Sequence, residues 1–344
     1  MKLFSLFKQE LAIDLGTANT LIIQDGVVVV DEPSIVAYNR RTEETIAVGR
    51  KAMQMHEKTH EEIKTIRPLK DGVIADFKAA ENMIEGMIRM IGRKRRFFTH
   101  LKMVICIPSG ITEVEKRAVF DSADHVDSKE TYLIYEPMAA ALGIGLDVEE
   151  PIGNMIIDIG GGTTEIAVIA LSGIVTNQSI RIAGDELTTD IMNYMKRQHN
   201  ILIGERTSEQ IKIHVGSALP VLDDPPADFA VNGRDLMTGI PKQIYVTYQE
   251  IAHAIDESIT AIEEAVLRAL EATPPELASD IYRTGLYLTG GGALLRGLDK
   301  RISSKTKLPV HVAEDPLRAV VRGTSAALAD TARYMPILIP RGSV

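Results

Sequence analysis

One short supersecondary unit occurs twice in the chain, and that repetition constrains the fold more than any other feature. Leu11-Ala12-Ile13-Asp14-Leu15-Gly16-Thr17 is echoed by Ile156-Ile157-Asp158-Ile159-Gly160-Gly161-Gly162-Thr163. Each copy leads into a second apolar run, "TLIIQDG" or "TEIAVIALSG", that ends at glycine. The pattern reads as a strand, a tight polar turn and a returning strand. Glycines stand where backbone must approach something closely, with hydroxyls beside them. Backbone N–H groups in such turns cradle phosphate. A carboxylate beside phosphate is repulsive without an intervening cation, so Asp14 and Asp158 imply Mg2+, held through its water shell. Two turns of this kind facing one another make a phosphate clamp. The common nucleotide motifs are absent: there is no Gly-Lys-Ser/Thr, and the nearest approach to G-x-G-x-x-G, "LTGGGALLRG", fails at Leu295.

At 344 residues with 45% hydrophobic content, the chain exceeds the size at which a single core stops growing, which predicts two domains. Apolar β-branched runs such as "LAIDL", "KMVICIP" and "NMIIDI" alternate with stretches of period 3.6, so the fold class is α/β. One helical stripe carries Ala80, Met83, Ile84, Met87, Ile88 and Ile91; another carries Ile251, Ile255, Ile259, Ile262, Val266 and Leu270, with Thr247 and Glu250 as its capping box. The segment "ALPVLDDPPADFAVNGRD" has loop composition followed by strand-like pieces, the mark of a small inserted subdomain. A formal net charge of −9 disfavours nucleic acid as a partner. The one cysteine, Cys106, lies in an apolar run as a buried strand thiol, and without a possible internal disulfide a reducing cytoplasm is the expected compartment. No apolar run approaches the roughly 20 residues of a spanning helix, and "MKLFSLFKQE" is too short for a secretion signal. His56-Glu57-Lys58-Thr59-His60 matches H-E-x-x-H, a zinc pattern when it lies on a helix, but its neighbours are strongly charged and no third ligand is evident.

Five segments carry a specific resemblance. "IDLGTANT", "LIYEPMAAALGIG", "IDIGGGTTEIAV", "LYLTGGGALLRGL" and "RGTSAAL" resemble the phosphate-1, connect-1, phosphate-2, adenosine and connect-2 motifs of the actin, Hsp70 and sugar-kinase ATPase superfamily. Together with "RPLKDGVIADF" and "ALEATPPELASDI", they resemble the MreB family of bacterial actins over nearly the whole chain. The resemblance implies an actin-like fold of two lobes, each with a ribonuclease-H-like mixed sheet and helices. Domain I would comprise residues 1–145 and 316–344 with a small subdomain at about 32–75, and domain II residues 146–315 with a small subdomain at about 184–250.

The resemblance also implies roles. Asp14, Gly16, Thr17, Ala18 and Asn19 would meet the phosphates of ATP from one side, and Gly160, Gly161, Gly162 and Thr163 from the other. Gly290, Gly291, Gly292 and Ala293 would lie against the adenosine, with Glu209 and Lys212 on a helix flanking the nucleoside. Glu136, opening the helix at Pro137, would position the attacking water, with Thr163 and the metal-holding Asp158 completing a slow ATPase. Without the resemblance, a glutamate at this place reads first as serving the helix dipole. Small residues Ala139, Ala140, Ala141 and Gly143, with Gly323, Ser325, Ala326 and Ala327, would let two helices cross at an interdomain hinge.

The implied function is a cytoskeletal ATPase forming homopolymer filaments that support rod-like shape, alongside cell-shape and cell-wall synthesis proteins. The alternative is a small-molecule kinase or Hsp70-type ATPase of the same superfamily, for which no substrate or peptide-binding domain is recognisable. Two sequences suggest attachment to an anionic membrane at the inner face of the cell membrane: Leu3, Phe4, Leu6 and Phe7 between Lys2 and Lys8, and Phe97 and Phe98 after Arg93-Lys94-Arg95-Arg96.

Overall fold

The computed structural model describes residues 8–92 and 100–343. Two sheets organise them. The first has six strands in the order Ile339–Pro340, Ser128–Tyr135, His100–Ile107, Lys8–Leu15, Asn19–Gln24 and Val27–Pro33. The second has five, in the order Gly173–Ile180, Thr164–Ala170, Asn154–Ile159, Leu286–Thr289 and Val310–Val312. Both repeat units are antiparallel hairpins, and in both the leading strand pairs in parallel on its other edge, with His100–Ile107 or Leu286–Thr289.

Strand alternation sorts the side chains. Leu11, Ile13 and Leu15 enter an outer core beneath helices Phe77–Met90 and Glu113–His125, while Met155, Ile157 and Ile159 enter the outer core of the second lobe. The opposite faces carry Ala12 and Ile156, which meet in a central core shared by the two sheets. Asp14 and Asp158 fall two residues beyond these and so point toward the space between the lobes.

Helix Phe77–Met90 begins where Asp76 accepts from the Ala79 N–H at 3.0 Å, and buries Met83, Ile84, Met87 and Ile88, each contributing roughly 1.5–3 kcal/mol relative to exposure. The isoleucine-rich stripe differs from its expected single helix. The Thr247–Glu250 capping box is present, but the segment divides into Tyr248–Ala254 and Asp256–Glu271 at Ile255 (φ −101°, ψ 3°), which leaves the helical region while its side chain stays buried in the stripe.

Helices Glu136–Gly143 and Ala319–Ala329 cross in the central layer. A Cβ on Gly143 would overlap the Ala319 carbonyl oxygen, and one on Gly323 would overlap that of Ala139. The two backbones are therefore in contact, an approach that only glycine permits.

Smaller sheets extend each lobe. Strands Val36–Asn39, Thr45–Val48 and Ile63–Ile66 form one, and Ile201–Leu202, Phe229–Asp235 and Pro241–Val246 the other. No helix among the described residues is long and apolar enough to cross a membrane. Leu3, Phe4, Leu6, Phe7, Phe97 and Phe98 lie outside the described residues.

Candidate functional site

Asp14 and Asp158 occupy equivalent places in the two lobes. Each is the penultimate residue of its strand, and each is anchored by a side chain from the neighbouring parallel strand. Cys106, in register with Asp14, donates its thiol to Asp14 Oδ1 at 3.0 Å. Thr289, in register with Asp158, donates to Asp158 Oδ1 at 2.8 Å. Neither partner was identified from sequence, because each comes from a strand more than ninety positions away (|i−j| of 92 and 131). The clue lay in "LTGGG", where Thr289 directly precedes the glycines.

Burial pushes the Asp14 carboxyl up to about 6 and that of Asp158 up to about 7, against the hydrogen bonds from Cys106 and Thr289 that hold them down. Glu136 begins its helix beside Asp14 and is raised well above the usual carboxylate range, first by burial and then by the charges of Glu165, Asp158 and Asp14. The thiol of Cys106 is likewise pushed up by burial and by Asp14 and Glu136, which keeps it a donor. Ligand atoms of Asp14, Cys106 and Glu136 lie within 4.8 Å of one another. With the sulfur protonated, this group offers only the carboxylate oxygens of Asp14 and Glu136, which suit a hard cation such as Mg2+ over zinc, and Asp158 is not part of it.

The turns are held from behind. Ser34 Oγ donates to the Gly16 carbonyl at 2.6 Å and lies 2.9 Å from Thr20 Oγ1. In the other lobe Gly160 N–H donates to Thr163 O at 2.9 Å, Thr164 Oγ1 donates to Ile182 O at 2.7 Å, and the N–H groups of Gly184 and Asp185 donate to Gly160 and Gly161. Thr17, Ala18, Gly161 and Gly162 then meet across the cleft. A Cβ on Gly161 would fall 2.7 Å from Ala18 Cβ, and one on Gly162 would fall 2.7 Å from Thr17 Oγ1. Gly72, at φ +78°, closes the side of this junction: its N–H donates to Thr17 Oγ1 at 3.1 Å, and a Cβ there would meet the Thr163 methyl at 2.7 Å. Asn19 begins the returning strand, exposed.

Gly290, at φ +79°, packs so tightly on the end of strand Asn154–Ile159 that a Cβ would sit 2.7 Å from Asp158 Oδ1, and the short helix Gly291–Leu294 with buried Ala293 follows. Glu209 and Lys212 form more than a surface ion pair. Lys212 Nζ bonds Glu209 Oε2 at 2.6 Å, and also donates to Gly184 O at 2.7 Å and Thr188 Oγ1 at 3.0 Å, which ties helix Glu205–Val215 to the backbone behind the Gly160–Gly162 turn.

The H-E-x-x-H stretch is not on a helix. Helix Arg50–Met55 ends before it, with His56 extended (φ −57°, ψ 137°) and Glu57 left-handed (φ 59°), so the imidazoles lack the spacing a zinc ligand pair needs. Instead His56 Nδ1 lies 2.9 Å from Thr65 Oγ1 and its Nε2 3.4 Å from Glu205 Oε2. Glu57 accepts from the Glu205 N–H at 3.1 Å, and Arg67 pairs with the Glu205 carboxylate. These contacts join the small subdomains across the cleft and cap helix Glu205–Val215, whose own N-cap, Gly204, has no side chain.

The sequence matches the family described as MreB/Mbl protein over residues 8–335. It is 47% identical over 332 residues to the cell shape-determining protein MreB of Escherichia coli strain K12, covering 95% of each chain. It is 45% identical over 324 residues to the cell shape-determining protein Mbl of Bacillus subtilis strain 168, covering 94% of this chain and 96% of that one. Crystal structures of MreB5 of Spiroplasma citri, bound to AMPPNP or ADP, superpose with TM-scores of 0.89 and 0.90 at 36% identity, covering 95% of this chain and 98% of theirs. Two mixed-sheet lobes, a glycine-mediated helix crossing between them and paired aspartate turns, continuous with relatives of this similarity, place the chain in the MreB/Mbl family of actin-like proteins.

Proposed function

We propose that the protein binds ATP with Mg2+ between its lobes, hydrolyses it slowly, and assembles into membrane-associated filaments that support rod-like cell shape. The observation that carries the nucleotide reading is the equivalence of Asp14 and Asp158, carboxylates at matching positions of the two hairpins, the second buried and the first partly so. The MreB5 relative binds both a triphosphate analogue and ADP with the same fold, which supports a site of this kind here. Gly16 to Asn19 and Gly160 to Thr163 would supply the backbone and hydroxyl donors to the phosphates. Gly290 to Ala293 would approach the adenine, and Glu209 and Lys212 the ribose side. Asp14 and Asp158 would hold Mg2+, which neutralises phosphate charge when bound. Glu136 would orient the water and accept its proton, and Thr163 would face it from the other lobe. Because the two turns touch across the cleft, a ligand seated between them contacts both lobes and biases their angle.

Membrane attachment rests on sequence alone: Leu3, Phe4, Leu6 and Phe7, and Phe97 and Phe98 beside four cations, multiplied along a filament by avidity. Sedimentation and electron microscopy with ATP and Mg2+, on and off anionic liposomes, test the whole reading. Pelleted filaments that float with liposomes and lose binding in high salt support it. A phosphorylated small-molecule product without assembly would replace it with a kinase.

A further inference from the structure

Glu165 is a fully buried carboxylate for which the nucleotide site has no evident use. It lies directly opposite Asp158 on the returning strand of the second hairpin, and opposite Ser179 on the strand beyond. Its Oε1 accepts from Ser179 Oγ at 2.6 Å. Its Oε2 reaches across to the first lobe, where it accepts from the Ser109 N–H at 3.1 Å and from the Ser109 hydroxyl. Ser109 Oγ also lies 2.8 Å from Asn177 Oδ1, and a Cβ on its neighbour Gly110 would meet Ser179 at 3.1 Å. One carboxylate thus holds a first-lobe loop against two second-lobe strands.

Stability alone is a poor reason for this arrangement. Removing a carboxylate from water is costly, and well-packed apolar residues usually serve a buried contact at least as well. Location supplies a better reason. Strands His100–Ile107 and Ser128–Tyr135 are parallel neighbours with Ile107 in register with Tyr135. Ser109 and Glu136 therefore emerge side by side from the same sheet end, two residues and one residue past that pair. On the opposite lobe Glu165 follows Thr163 by two residues. The Ser109–Glu165 hydrogen bonds therefore join the sheet end that carries Glu136 to the strand that follows Thr163.

We infer that Glu165 is a positioning residue for hydrolysis, fixing through Ser109 the sheet end that carries Glu136 against the turn that carries Thr163; this rests on the nucleotide reading proposed above. Glu165 touches no reacting atom in this role. Its removal loosens the two lobes at the base of the cleft, and misplacement on the scale of 1 Å is enough to cost a large factor in rate.

The test compares kcat and KM for phosphate release, affinity for a fluorescent ATP analogue, and melting temperature, in the parent, Ser109→Ala, Glu165→Gln, Glu165→Ala and the Ser109→Ala/Glu165→Ala pair. We expect Glu165→Ala to lower kcat about ten- to hundredfold while KM and analogue affinity stay within about threefold. Glu165→Gln, which keeps an acceptor for the Ser109 N–H, recovers most of that loss. Adding Ser109→Ala to Glu165→Ala costs little more, because both remove one bridge. Should Glu165→Ala fail to fold, Ser109→Ala and Glu165→Gln carry the comparison. Parental kcat in every variant overturns the inference, as does a parallel fall of kcat, affinity and melting temperature without rescue by Gln. A parent that releases no phosphate refutes the proposed function instead, and takes this inference with it.

Discussion

Gly161 of the second lobe faces Ala18 of the first so closely that a Cβ at position 161 would lie 2.7 Å from the Ala18 Cβ. The turns are in contact at a residue that has no side chain to give up. Real Cβ atoms do not approach so closely, so Gly161→Ala must hold the hairpins apart by several tenths of an ångström. We expect ATP-analogue affinity to fall about tenfold or more while ligand-free melting changes little, and Ala18→Gly in the same chain to restore part of the affinity. Equilibrium titration with a fluorescent analogue reads the result; unchanged affinity in Gly161→Ala would show that closure at this point is not needed.

The aspartates make ligand-free stability depend on pH. The Asp158 carboxyl is raised from 3.8 in the reference state to about 7 in the fold, chiefly by burial. Below about pH 4 both states hold the proton and above about 7 neither does; between these limits only the folded state holds it. Folding stability contributed by this group therefore falls as pH rises through that window. Asp158→Asn keeps the acceptor for Thr289 and removes the titration. The ligand-free variant should match the parent near pH 4 and exceed it at pH 8, by at most about 4 kcal/mol. Denaturant melts at both pH values decide the matter, and a variant less stable than the parent at pH 8 contradicts the account. The same substitution should abolish the Mg2+ dependence of nucleotide binding.

Gly323 and Gly143 give a third prediction. Gly→Ala in a helix ordinarily gains about 0.5–1 kcal/mol from propensity. Here the added methyl would overlap the Ala139 carbonyl oxygen, and overpacking of this kind costs about 1–3 kcal/mol. The clash wins, so Gly323→Ala should lower stability, whereas Ser325→Ala on the same helix should not. Chemical denaturation with an unchanged m-value for both variants is the check.

Glu205 closes the mouth of the cleft through His56 and Arg67. A partly exposed ion pair of this kind contributes about 1 kcal/mol, which corresponds to roughly fivefold in an opening equilibrium. Glu205→Ala should release bound nucleotide faster by about that factor, as read by stopped-flow displacement. An unchanged release rate would show that opening is not limited by this contact.

What could be read from sequence was local chemistry. The strand, turn and strand of each repeat, the start of a helix at Glu136 before Pro137, and the stripe of Met83 and Met87 depend on residues a few positions apart. The break at Ile255 was invisible because the apolar period runs through it unchanged. Cys106 beside Asp14, Thr289 beside Asp158 and Ser109 against Glu165 depend on which strands become neighbours, and a single sequence carries no sign of sheet order. The stretch from His56 to His60, set aside as a zinc site on its charged neighbours and missing third ligand, kept its actual contact hidden for the same reason. Its spacing is that of a zinc helix, but the helix ends at Met55, and its partner Glu205 is distant in the chain (|i−j| of 149 from His56).

Glu136 is assigned to the attacking water and to no phosphate contact, so its removal separates hydrolysis from binding. The most direct measurement is ATP-analogue affinity alongside phosphate release, with Mg2+, for the parent and Glu136→Ala. The parent should release phosphate slowly, and the variant should keep an affinity within about threefold of the parent with release about a hundredfold slower. An equal loss of affinity and rate, or an unchanged rate, would contradict the assignment.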